Sequence, residues 1–107
     1  MTQKQKDEAI LKRDFIINRA SGICEHLDEN GNRDCEEPGV EVAHCISKSK
    51  MNIRKYGYEY VHHPKVLRWS CKEHNDSFNI GFKPAVIAEE LAKIDEAGIE
   101  NWGKNEY

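Results

Sequence analysis

A chain of 107 residues with 38% apolar and 33% charged side chains makes one small domain with a modest core, to which a bound metal would add useful stability. Its net charge of −3 argues against a general nucleic-acid binder, and no apolar run approaches the length of a membrane span or a signal peptide. A soluble, cytoplasmic protein with reduced thiols, free to bind metal, is therefore expected. Two disulfides in a secreted domain are the rival reading of the four cysteines, disfavoured by the missing export signal.

Residues 4–20 read as a helix. Ile10, Leu11, Phe15 and Ile16/Ile17 form its apolar stripe, Lys and Glu fill the other faces, and Gly22 stops it. Residues 21–39 read as loop, with a turn-rich Asp28–Asn32 run between Cys24 and Cys35 and a Pro38-Gly39 close. Val40 to Ile46 alternates apolar and polar residues like a strand whose end delivers His44 and Cys45. Ser47 to Gly57 is polar and basic, a loop or a short helix. Tyr58 to His63 is aromatic and β-prone, and Val66 to Ser70 has strand character leading to Cys71. A short helix is expected from Asn75 to Phe82, with Asn75 and Asn79 on one face at i, i+4. Pro84 opens a last helix with a Val86, Ile87, Leu91 and Ile94 stripe and a Gly98 cap, after which Trp102 folds back on the domain.

Charge is unevenly distributed along the chain. Residues 21–45 carry seven acidic side chains against Arg33 alone, whereas residues 46–72 carry Lys48, Lys50, Arg54, Lys55, Lys65, Arg68 and Lys72 against Glu59 alone. This basic middle reads either as a phosphate-binding surface or as a solvated face balanced by neighbouring acids.

The strongest chemical signal is Cys71-x-x-His74, since two intervening residues let one turn present both donors to one ion. Cys24 and Cys35 supply two more thiolates, provided the ten residues between them loop out and return. The result is a Cys3His tetrahedron with no open position, the form of a structural zinc site. Cys45 and His26 compete as ligands, and buried thiols without metal are the bland alternative.

The order of thiol, thiol, strand ending in histidine, hairpin, second knuckle and short helix resembles the HNH (ββα-metal) endonucleases with a zinc-stabilised core. The resemblance spans residues 19–82. It rests on Arg19-Ala20-Ser21-Gly22-Ile23-Cys24, on Val42-Ala43-His44, on Pro64 seven residues before Cys71, and on Asn75 directly after the knuckle. It implies an α+β fold: a small zinc-stabilised ββα-metal core over residues 21–82, with an N-terminal helix within 1–20 and a C-terminal helix over 84–98, all in one domain.

The resemblance also implies roles. His44 is the general base toward water, Asn75 lies beside a catalytic Mg2+ or Mn2+ with Asn79 as a second candidate, and Lys48, Lys50, Arg54 and Lys55 hold the DNA backbone. Activity would be phosphodiester hydrolysis by an endonuclease or nickase of the kind found in phages and mobile elements, in a bacterial or phage-infected cell. Two positions depart from the family pattern. Ala43 stands where many members have a metal-ligating aspartate or histidine, and Val66 stands where an asparagine orients the base. Charged help for an ion would then come from Glu41, Asp76 or the substrate, and His62 and His63 are further candidates for a ligand or orienting group. The alternatives are a catalytically inactive zinc module that grips nucleic acid, RNA included, or a zinc-stapled domain that binds a protein partner, with His44 purely structural.

Overall fold

The computed structural model describes residues 2–28, 30–78 and 83–102. Helix α1 runs from Gln3 to Ala20 and starts with a capping box: Thr2 Oγ1 accepts from the Gln5 N–H at 3.1 Å, and Gln5 Oε1 accepts from the Thr2 N–H at 3.0 Å. It ends at Ala20 as expected, with Ser21 in the left-handed cap at φ 55° and Gly22 following at φ 76°.

The buried face of α1 keeps the Phe15, Ile16 and Ile17 part of the expected stripe but not its Ile10 and Leu11 part. Ile10 and Leu11 are 59% and 60% exposed, while Lys12, Ile16 and Ala20 point inward at i, i+4 spacing. Ile16 and Ala20 meet the side chains of a two-stranded antiparallel sheet, β1 (Glu41–His44) and β2 (Leu67–Ser70). The register pairs Val42 with Trp69 and His44 with Leu67, so strand alternation turns these four residues toward α1. Ala43 and Ser70, on the other face, are 1% and 0% exposed. Lys12 continues the inward row next to Ile16, the place where a charged residue is least expected.

A second core lies beyond the end of β1. Cys45, Ile46, Val61, Val66, Ile87 and Ile94 pack together, with Ile53, Tyr56, Tyr60, Phe78, Leu91 and Ile99 around them. Helix α2 (Lys50–Tyr56) is capped by Ser49, whose hydroxyl accepts from the Asn52 N–H at 3.1 Å.

The β-prone reading of Tyr58–His63 does not hold. Tyr58–Val61 is a helical turn, α3, separated from α2 by Gly57 at φ 100°. Tertiary packing overrides local propensity here. The helical turn drives Val61 to full burial, leaves Tyr60 against the core, and lets Tyr60 donate from its hydroxyl to Asp95 on the last helix. A 3-10 turn at Pro64–Val66 then leads into β2.

The short helix expected from Asn75 is not formed over residues 72–78, which are turns held by Ser77 donating to the His74 carbonyl from both N–H and hydroxyl at 2.9 and 2.8 Å. Asn79 to Phe82, and with them the expected Asn75/Asn79 pairing, lie outside the described residues. Helix α4 (Pro84–Ala97) buries Ile87 and Ile94 and ends at Gly98 with φ 91° as expected, but Val86 is 37% exposed. Trp102 returns to the domain and meets Phe15 edge-to-face at 5.2 Å. The architecture is a small α+β domain with four helices and a two-stranded sheet among the described residues. No helix among the described residues is long and apolar enough to cross a membrane.

Candidate functional site

Cys24, Cys35, Cys71 and His74 converge with their ligand atoms all within 4.8 Å of one another. Tetrahedral zinc with ordinary bond lengths of about 2.3 Å to sulfur and about 2.0 Å to nitrogen would separate its ligands by about 3.8 Å (S to S) and about 3.5 Å (S to N). Cys35 Sγ lies 4.0 Å from Cys71 Sγ, and His74 Nδ1 lies 3.4 Å from Cys71 Sγ and 3.7 Å from Cys24 Sγ. The cluster could therefore hold a metal such as zinc, with all four positions of a tetrahedron filled by side chains.

The chain between Cys24 and Cys35 does loop out and return. It forms a miniature hairpin with bridges Ile23 to Pro38 and Leu27 to Arg33, turned by Asp28, whose carboxylate accepts from the Asn30 and Asn32 N–H groups at 2.8 and 3.0 Å. Gly39 closes it against the sheet. A Cβ there would sit 2.2 Å from Trp69 Cδ1, so no larger residue fits without moving the indole.

The run from Arg19 to Cys24 acquires a physical role. Arg19 pairs both carboxylate oxygens of Glu25 at 3.0 and 2.7 Å and also donates to the Pro64 and Leu67 carbonyls at 2.9 and 2.8 Å. Glu25 in turn accepts from the Trp69 N–H at 2.8 Å, and the Trp69 indole donates to the Gly22 carbonyl at 3.2 Å. The end of α1 is thus bolted to β2 just where Cys24 enters the cluster. From the other side, the Arg33 guanidinium donates to the carbonyls of Ala20, Ile23 and Cys24 at 2.7–3.1 Å. Neither Glu25 nor Arg33 stands out in the sequence, because nothing in a lone acidic or basic residue says which carbonyls it will reach.

The competing ligands fall elsewhere. Cys45 is 2% exposed within the second core, where burial pushes its thiol up. His26 pairs with Asp34 at 2.7 Å and stacks on the His74 ring at 4.0 Å, supporting the ligand rather than replacing it. Charge is unevenly spread among the sulfurs. Burial raises the Cys24 thiol, yet the Cys71 and His26 backbones, the His74 ring and the Cys71 thiol bring it down to about 7. Cys35 is favoured as a thiolate by the Glu37 backbone, but desolvation and the Cys24 and Cys71 sulfurs push it up to about 11.

The other end of β1 carries a different arrangement. His44 Nε2 lies 3.0 Å from His62 Nδ1, and the His62 ring sits against Tyr58 with centroids 4.3 Å apart. Burial, then the neighbouring His62 and Lys48 charges, brings His44 down to about 4; burial with Lys12 and Lys48 lowers His62 as well. Both rings are thus neutral near pH 7, with one N–H shared between them. Val66 is fully buried in the second core, and the side chain that meets His44 is His62.

His44 and Lys48 border two adjoining hollows. One, of about 340 Å³, is lined also by Glu41, Ser47, Asn75 and Asp76. It brings together the expected base, the expected Asn75 and both carboxylates available to assist an ion. Among the described residues, however, only the Cys3His group has its ligand atoms drawn within 4.8 Å, so the cleft is an open lining rather than a preformed cage. Lys48, Lys50, Arg54 and Lys55 are all exposed on the stretch that follows β1, the last three on α2. His63, the remaining histidine, is 4% exposed. Its Nδ1 accepts from the Lys65 N–H at 3.1 Å, and burial, opposed by the Ile99 backbone, lowers it to about 4. It caps the 3-10 turn and takes no part in the cleft.

No family model matches the chain, and no curated protein and no solved structure is significantly similar to it.

Proposed function

We propose that this chain is a small HNH-type endonuclease or nickase that hydrolyses DNA phosphodiester bonds, with structural Zn2+ in its Cys3His cluster. The carrying observation is that His44, Asn75, Glu41 and Asp76 border one cleft, beside a closed metal site that holds the strand and the knuckle in place. In the tautomer where His44 Nε2–H donates to His62 Nδ1, His44 Nδ1 is free to take a proton from an attacking water. The pair fixes the ring as an orienting asparagine would.

With a pKa near 4 the imidazole is neutral at pH 7, and so competent to accept a proton, but it is a weak base. An incoming phosphate would offset the Lys48 charge that helps to depress it and so raise its basicity. Glu41 and Asp76 supply the oxygen ligands that a hard cation requires and that Ala43 does not provide. Mg2+ or Mn2+ there would offset the charge that develops on the phosphate and the leaving oxygen. Lys48, Lys50, Arg54 and Lys55 hold the backbone on either side.

The test is nicking of supercoiled plasmid in Mg2+ and Mn2+, with the faster rate expected in Mn2+, which accepts irregular ligand sets more readily. His44→Ala should lower the rate about 10²–10⁴-fold while keeping the wild-type zinc content. Wild type inert in both metals, on paired, branched and single-stranded DNA, would refute the nuclease.

The second reading is a zinc module that binds nucleic acid or a protein partner without cutting. The burial of Ala43 and Val66 and the open spacing of the cleft carboxylates favour it. It expects salt-dependent binding and no cutting, and binding unaltered by charge reversal at Lys50 and Arg54 would remove its nucleic-acid form.

A further inference from the structure

The hollow on the other side of His44 has a volume of about 310 Å³ and lies between α1 and the sheet. Ile16, Val42 and Leu67 form its apolar floor, and the Tyr58–His62 pair forms an aromatic flank. Lys12 reaches it from α1 together with Arg13.

Lys12 is 7% exposed, and among the described residues its one ion-pair partner is Glu8, 3.9 Å away. It makes no hydrogen bond among the described residues. Its buried stem leaves the ammonium at the border of this hollow with a single distant carboxylate, so a ligand entering there would meet a cation with little competing for it. The hollow also shares His44 and Lys48 with the cleft that holds Asn75 and Asp76. A flat apolar ring with polar edges, attached to a phosphate, is the chemistry that matches a floor of aliphatic carbons, an aromatic flank and neighbouring cations.

We infer that this hollow receives the base of an unpaired nucleotide whose phosphate lies in the adjoining cleft, so that the substrate is DNA with unpaired or branched segments rather than uniform duplex. The inference rests on the reading of the cleft as a phosphodiester site. A base held in the duplex stack cannot enter a hollow walled by α1 on one side and the sheet on the other; it must already be unpaired or be extruded. Tyr58 and His62 give the ring a surface to pack on, and Lys12 meets an acceptor on its edge or the neighbouring phosphate. Helix α1, which lies mostly outside the HNH-like segment, is then the element that sets substrate choice.

The experiment measures binding of the zinc-loaded chain to a short duplex with one unpaired nucleotide and to the same duplex fully paired. No Mg2+ or Mn2+ is added, so the readout does not require cutting. Wild type should prefer the unpaired form about tenfold, the scale of one base–aromatic contact. A fluorescent base analogue at the unpaired position should change its emission on binding. Lys12→Met, which keeps the packing volume, and Tyr58→Ala should each bring the ratio of the two affinities, measured within the variant, toward one.

A wild-type ratio of one would overturn the inference, and so would a free mononucleotide that competes as tightly as the unpaired duplex. If the preference is present but no DNA is cut under any condition, the nuclease reading fails and the pocket stands. If paired and unpaired substrates bind and are cut alike, the reverse holds.

Discussion

The two ends of the β1–β2 sheet solve opposite problems. At the Cys3His end nearly every polar group has a partner. Arg19 and Glu25 satisfy carbonyls and an N–H of the surrounding chain, Arg33 gathers three carbonyls, and His26 braces His74. At the His44 end two imidazoles are held neutral by burial and nearby cations, Lys12 is buried with one distant partner, and two carboxylates face a cleft without closing on anything. A set of groups that satisfies itself holds the fold. A set that borders open hollows has capacity for something from outside.

The largest effect should come from breaking the satisfied end. Stripping metal with a chelator, or Cys71→Ser, should unfold the domain cooperatively, because structural zinc in small domains contributes about 10–16 kcal/mol. Circular dichroism alongside metal analysis checks this, and a metal-free chain that keeps its native spectrum would disprove the structural role. Next in size is Gly39→Ala. With a Cβ driven to 2.2 Å from the Trp69 ring, the variant should lose about 1–3 kcal/mol in urea denaturation, and an unchanged midpoint would mean that the indole moves freely.

The same comparison separates what the sequence shows from what it hides. Cysteine and histidine spacing carries the metal cluster because thiols have few other uses in a reduced chain, and the turn residues at Asp28–Asn32 indicate that the loop can return. The limits of α1 and α4 follow from Thr2, Gly22, Pro84 and Gly98, whose chemistry is local. Lys12 could not be placed, since a lysine on an amphipathic helix is ordinarily outward, and only the positions of Ile16 and Ala20 against Leu67 and Trp69 turn it in. His62 and His63 both stand in the sequence as candidates to orient His44, but the sequence cannot choose between them, because the His44–His62 contact depends on α3 being a helical turn, and its aromatic residues suggest a strand. Ile10 and Leu11 mislead for the same reason: an apolar stripe shows that a helix has a face without showing which neighbours decide it.

Smaller effects sharpen the contrast at the His44 end. His44, His62 and His63 all titrate below 6.5 in the folded state, His44 and His63 at about 4. The unfolded chain therefore takes up protons first, and stability should fall as pH drops from about 6.5 toward 4. His44→Gln should shallow that decline in urea midpoints measured across the range, and an identical slope would show that His44 contributes nothing to it. Lys12→Met should leave the stability of the free protein within about 1 kcal/mol of wild type, since the packed stem is kept and one distant ion pair is given up. A larger loss would mean that the Glu8 contact is worth more than its 3.9 Å separation implies.

The account turns on the His44 cleft being a place for a divalent ion distinct from the closed Cys3His cluster. Titration of the zinc-loaded protein with Mn2+, followed residue by residue through paramagnetic broadening of NMR signals, tests this most directly. Signals of Glu41, His44, Asn75 and Asp76 should broaden first and saturably, with those of Cys24, Cys35 and Cys71 following only as distance dictates. Broadening that begins on the acidic surface of the Asp28–Glu37 loop, with the cleft unaffected, would contradict it.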